Sequence, residues 1–126
     1  MSLLLDTPIL LWWLSDDPRL PPAARGAISS GDNEVMVSAA AVWEIAIKKT
    51  VGRLEVPDDL LDVLAVNDFQ TLDITATHAL LASNLPPHHS DPFDRMMIAQ
   101  ARAEHLSLIS VDERFHQYDV ELLPLI

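Results

Sequence analysis

Cysteine is missing from the chain, and its absence excludes disulfides, thiolate metal ligands and a cysteine nucleophile. That suits a reducing compartment, and a cytoplasmic location is the expectation. Long apolar runs are also missing. Nothing approaches the roughly 20 consecutive apolar residues a helix needs to cross a bilayer, and no membrane association is expected. The apolar opening MSLLLDTPILLWWLSDD is broken by Asp6 and lacks a basic leader and a small-residue cleavage site, so it reads as core rather than signal. Glycine is scarce, three in 126 residues, and 49% of the residues are hydrophobic, which argues for well-filled helices and strands rather than disorder. Positive charge is scarce too: 8 basic against 19 acidic residues leave a formal net charge of −11. Such a surface repels free nucleic acid at long range unless metal ions or a basic partner neutralise it. Carboxylate, imidazole and hydroxyl groups remain for chemistry, on a chain whose length fits a single domain, residues 1–126.

The pattern along the chain alternates strand and helix. LLLD (Leu3 to Asp6) is a short apolar run stopped by a polar residue, as expected of a buried strand. Thr7 is placed to cap a following helix, with Pro8 at its first position and ILLWWL continuing it to about SDDPRLPP. A second helix is expected from about Pro22 to Ser30, ended by SGDN, then a strand EVMVS. Ser38 caps the next helix, AAAVWEIAIKKT, whose Ala40, Trp43 and Ile47 share one stripe that reads as its buried face. DLLDVLAV is a short helix, FQTLDI a strand, TATHALLASNL a helix and PPHHSDP a Pro-rich connector. The remainder reads as a long helix from about Pro92 to His105, a strand LSLIS, a turn or short helix VDERFH, and a last strand in VELLPL. This order predicts an α/β fold with a central, mainly parallel sheet flanked by helices.

Ligand sites in open α/β sheets form beyond the carboxyl ends of the strands. Asp6 and Asp112 follow strands, Asp94 lies in the first turn of the long helix, and Glu44 lies in the second turn of the helix after EVMVS. Four clustered carboxylates raise one another's pKa unless a cation compensates, and oxygen donors suit hard ions such as Mg²⁺ or Mn²⁺. Each acid also has a structural explanation. Asp6 can end a strand or share capping with Thr7, and Glu44 can pair with Lys48 at the i, i+4 spacing. Asp91, followed by Pro92, is the best helix cap in the chain. Ser110 and Glu113 fit a capping box that leaves Asp112 without a capping role.

His88 and His89 complete no His-x-x-x-His or Cys/His spacing, and read as solvated loop residues or phosphate contacts rather than zinc ligands. Thr7, Ser38 and Ser110 are placed to orient metal-bound water, though capping explains them equally well. Arg95, Lys48, Lys49 and Arg53 are the basic residues placed to meet a phosphate backbone, with surface solvation as their default explanation. Trp12 and Trp13 point in different directions, one toward the core and the other toward a partner surface.

Taken together, LLLDTPILLWWL, SAAAVWEIAIKKTVGRLEVP, HHSDPFDRMMIAQA and LISVDERF resemble, in order and over nearly the whole chain, the four segments of PIN-domain proteins, and within them the VapC-type toxins of bacterial toxin–antitoxin pairs. The resemblance implies a three-layer α/β domain and an Mg²⁺- or Mn²⁺-dependent endoribonuclease. It places Asp6, Glu44 and Asp94 on the acidic metal positions and Asp112 on a fourth, more variable one. Asp91 matches the first acid of the DPFDR segment, as a further metal ligand or other support for the site, or as a helix cap only. An RNA substrate, an antitoxin protein partner and a homodimer are implied as well. One departure is Pro8, where many close relatives carry histidine after DT.

Two other classes compete. A phosphoacceptor receiver domain needs a lysine near its last strands, and this chain has none after Lys49. A catalytically silent PIN-like module would use the same acids only to bind a partner or a structural ion. Pro8 and the negative charge keep that reading open, although the metal carboxylates are all present, and RNA cleavage separates it from the enzyme.

Overall fold

The computed structural model describes residues 1–126. Four strands, β1 (Ser2–Leu5), β2 (Glu34–Ser38), β3 (Gln70–Leu72) and β4 (Ser107–Ile109), form one sheet in the order β3-β2-β1-β4, with every pairing parallel. The helices are α1 (Thr7–Leu14), α2 (Pro22–Ser29), α3 (Ala39–Thr50), α4 (Leu60–Val66), α5 (Ala76–Ser83) and α6 (Pro92–Glu104), with a 3₁₀ turn over Glu113–Gln117. The chain winds outward from β1 through β2 to β3, then returns across the sheet through α5 and α6 to lay β4 on the other side of β1. The order therefore switches direction between β1 and β4, and a crevice at their carboxyl ends is where such sheets place their chemistry.

Leu3, Leu4, Leu5, Leu108 and Ile109 on the two central strands are fully buried, which is why the sequence there is an apolar run with no alternation. Helices close over them in a chain of contacts: α1 against α3, α3 against α6, and α6 against α5. Burying each large aliphatic side chain contributes about 1.5–3 kcal/mol, so the sheet centre is the least yielding part of the molecule. It fixes the strand ends that carry Asp6 and Ser110.

Three expectations change. The expected last strand in VELLPL reduces to one parallel bridge, Leu108 with Leu122, held by Leu108 N–H to Glu121 O (2.9 Å) and Leu123 N–H to Leu108 O (3.0 Å). Pro124 has no N–H to continue it. Thr7 does not cap α1: Asp6 does, accepting the Ile9 N–H at 3.0 Å, and Thr7 is the first helical residue. In α3 the apolar stripe is turned outward. Trp43 is 62% and Ile47 41% exposed, whereas Ala40, Ala41, Glu44 and Ile45 are buried. Close packing against α1 and α6 selects the small alanines, and Glu44 goes inward with them.

Candidate metal centre at the carboxyl edge of the sheet

Each acid is positioned by local structure. Asp6 leaves β1 in extended conformation, its own N–H bonded to Ile109 O at 3.1 Å, so β1 and β4 together hold it. Its carboxylate accepts from Ile9 N–H at 3.0 Å, and it is buried. Glu44, also buried, accepts from the Thr7 hydroxyl on Oε1 (2.6 Å) and from Lys48 Nζ on Oε2 (2.8 Å). Asp91 caps α6, its Oδ1 accepting from Phe93 N–H (2.8 Å) and Asp94 N–H (3.2 Å), and so fixes the first turn from which Asp94 projects. Asp94 and Asp112 keep partly exposed carboxylates, 17% and 25% of each side chain, so they form the rim of a site whose floor is Asp6 and Glu44.

The electrostatics are those of a partly compensated anionic cluster, in which Lys48 pairs with Glu44 and Arg114 with Asp112 while Asp6 and Asp94 have no lysine or arginine partner. Burial pushes the Asp6 carboxyl up to about 7, opposed by its hydrogen bonds and reinforced by the nearby negative charges of Asp94 and Asp112. Burial likewise lifts Asp94 to about 6; Asp91, Glu44 and Asp112 add to the effect, and His89 opposes it. Asp112 goes the other way. The Arg114 guanidinium and backbone N–H bond to its carboxylate and pull it down to about 2. Asp112 accepts from Arg114 N, Nε and Nη2 at 2.9, 3.1 and 2.9 Å and from His89 Nε2 at 3.2 Å, which uses about all four of a carboxylate's acceptor positions. Asp94 is approached only by His89 Nε2, at 2.9 Å, and pairs with no lysine or arginine. It is the acid most open to a further partner.

Asp6, Glu44, Asp94 and Asp112 are thus brought to one edge, as expected, but several neighbours take other parts. Asp112 caps the 3₁₀ turn itself, and Ser110 accepts its N–H at 3.0 Å instead of pairing with Glu113 in a capping box. Ser38 caps α3 but is fully buried, its hydroxyl donating to Gln100 Oε1 at 2.6 Å, so it reaches no substrate. Arg95 is committed to main chain: its guanidinium donates to the carbonyls of Ala82, Leu85, Pro86 and His89 at 2.8–3.2 Å. Lys48 is held by Glu44 and Lys49 by Asp58, whereas Arg53 is exposed on the loop after α3. Pro8 is exposed in the first turn of α1, where no N–H is needed.

The residue whose part the sequence reading misjudged is His89. It is buried, not solvated, and its Nε2 lies with Asp94 and Asp112 oxygens in a group whose atoms are all within 4.8 Å of one another. Phe115, 5.7 Å away, and Tyr118 cover it, and no local pattern announces contacts 26 and 29 residues downstream. As a metal site the group fits: the open donors are carboxylate oxygens, and the raised Asp6 and Asp94 lack a cation that an ion would supply.

Fold and acidic edge together define the class, and the chain belongs to the PIN-domain family, whose model matches residues 3–121. In sequence it is 30% identical over 120 residues to Ribonuclease VapC22 of Mycobacterium tuberculosis, covering 93% of this chain and 92% of that protein. In structure it is similar to VapBC2 of Rickettsia felis bound to a promoter DNA fragment, with TM-score 0.73, 15% identity and 98% of each chain covered. It is also similar to a toxin–antitoxin complex from Klebsiella pneumoniae, with TM-score 0.70, 19% identity, and 99% and 98% covered. No helix is long and apolar enough to cross a membrane.

Proposed function

We propose that this chain is a divalent-metal-dependent endoribonuclease, with Mg²⁺ or Mn²⁺ as cofactor, and the toxin of a toxin–antitoxin pair. The observation that carries the reading is Asp94: a carboxylate raised to about 6 beside Asp6, Glu44 and Asp112, without a lysine or arginine partner, at the strand switch of a PIN-domain chain. Asp6, Glu44 and Asp94 are the proposed ligands, with Asp112 as a fourth acid that can ligate only by giving up one of its present donors. When bound, the ion supplies Lewis-acid activation of water and charge stabilisation at a phosphodiester. The chain's own groups do the positioning. Capping of α1 fixes Asp6, the Thr7 hydroxyl and Lys48 orient the two oxygens of Glu44, and Asp91 fixes the turn that presents Asp94. No residue here needs to act as a covalent nucleophile.

The formal charge of −11 opposes RNA everywhere except at a cation-loaded site, which concentrates productive approach there. The proposed seat of the antitoxin partner is an apolar strip of exposed Trp43, Ile47 and Val51, with Phe93, next in sequence to Asp94, packed edge-on to Trp43 at 5.4 Å. An antitoxin segment that covers this strip and extends a basic side chain to the acids would block the site. We propose further that the chain is one domain, on the strength of its single contiguous core, and that it forms a homodimer, which light scattering on the free protein would test.

The direct experiment is cleavage of structured and unstructured RNAs by antitoxin-free protein with Mg²⁺ or Mn²⁺. The reading expects wild type to cut and folded Asp94→Asn to be inactive. Equal cleavage by Asp94→Asn would reject the proposed site, and no cleavage by wild type would favour a silent binding module.

A further inference from the structure

Every polar atom of His89 is committed. Its backbone N–H donates to the Tyr118 hydroxyl (2.8 Å), which itself donates to Pro86 O (2.7 Å), and its carbonyl accepts from Arg95 (3.2 Å). On the ring, Nδ1 faces the Asp91 N–H at 3.2 Å, and Nε2 lies 2.9 Å from Asp94 Oδ2 and 3.2 Å from Asp112 Oδ2. A backbone N–H can only donate, so Nδ1 offers its lone pair and the ring proton sits on Nε2. The fold uses the same arrangement at His78, where Nδ1 accepts from Thr75 N–H (3.1 Å) and Nε2 meets Glu104 Oε1 (2.8 Å), remote from the acidic edge.

We infer that His89 is a positioning residue that stays outside the metal's ligand set, its Nε2–H donating to Asp112 with Asp94 Oδ2 alongside at 2.9 Å, while its Nδ1 locks the α6 cap. The inference rests on the metal-site reading above. A ligating imidazole would need its lone pair on Nε2 and its proton on Nδ1, where it would confront the Asp91 N–H. That exchange would break the bond to Asp91, the residue that caps the turn carrying Asp94. The chain therefore keeps an oxygen-only set for a hard ion, although a nitrogen lies within reach of two of its acids. Arg95, Tyr118 and Phe115 serve the same end, because each holds the backbone or ring plane of His89 in register.

Long-range ¹H–¹⁵N correlation on wild-type protein, metal-free and Mg²⁺-loaded, reads the ring directly. The expected result is a proton on Nε2 in both states. Mn²⁺ titration then compares two variants. His89→Gln, which restores an N–H near the Nε2 position but leaves the Asp91 N–H without its acceptor, should bind more weakly than wild type and more tightly than His89→Ala. His89→Ala should bind about 10-fold or more weakly, as for other residues that orient ligands. Loss of the Nε2 proton on Mg²⁺ loading, a proton on Nδ1, or wild-type Mn²⁺ affinity in folded His89→Ala would overturn the inference. If His89→Ala does not fold, the wild-type spectra and His89→Gln decide. Wild type that binds neither ion would instead overturn the metal-site reading itself, and the inference with it.

Discussion

Replacing Asp6 by asparagine should stabilise the metal-free protein while destroying its activity. In the folded chain Asp6 ionises near 7, against 3.8 for an unstrained aspartate. As pH rises, the unfolded chain therefore releases this proton first, and native stability falls between about pH 4 and pH 7 before levelling off. Above that window the difference amounts to about 4 kcal/mol of opposition to the folded carboxylate. Asparagine keeps an oxygen for the Ile9 N–H, so the α1 cap survives, but an amide accepts more weakly than a carboxylate from Ile9, returning about 1–2 kcal/mol. The net gain at pH 8 is then about 2 kcal/mol. For a chain of this size that is a rise of about 8 °C in Tm. Thermal unfolding in chelator at pH 8 and pH 4 tests it: the variant should be the more stable at pH 8, with the advantage gone near pH 4. Saturating Mg²⁺ should reverse the order, because only wild type gains fully from the ion. A variant less stable than wild type at pH 8 without metal, or an advantage independent of pH, would refute the reasoning.

Other consequences follow from named contacts. Arg95→Lys loses a planar fork serving four carbonyls, and should lower stability by about 2–3 kcal/mol in a denaturant titration; an unchanged midpoint would contradict that role. Ser38→Ala uncaps α3 and strands Gln100 Oε1 in the core, for a loss of about 1–3 kcal/mol by the same assay, with residual cleavage tracking the folded fraction. Arg114→Met removes the two guanidinium hydrogen bonds that are the main hold on Asp112 at about 2 and leaves those from the backbone N–H and His89, so its carboxyl should move up toward 3.8 in a ¹³C carboxyl titration of metal-free protein. Because Asp112 is satisfied by Arg114 and His89, Asp112→Asn should leave measurable cleavage under conditions where Asp94→Asn leaves none.

What could be read in the sequence was what local chemistry decides. The uninterrupted LLL and EVMVS runs become β1 and β2, and Asp91 before Pro92 caps α6. Parallel winding then brings distant acids to one edge, because parallel strands all end at the same edge of the sheet. The misreadings share a cause: contacts remote in sequence overruled local preference. Trp43 and Ile47 look like a buried stripe, but close helix packing took Ala40 and Ala41 instead. Arg95 looks like a phosphate contact, yet the end of α5 and the connector after it present four carbonyls to satisfy. His89 sits in a Pro-rich loop that reads as solvated until Phe115 and Tyr118 close over it.

The most direct test of the metal-dependent site is a single reconstitution series on RNA. Wild-type protein stripped of metal should be inert, recover cleavage when Mg²⁺ or Mn²⁺ is restored, and lose it again with chelator, while folded Asp94→Asn stays inert throughout. Cleavage that persists in chelator, or that metal restores equally to Asp94→Asn, would contradict the account.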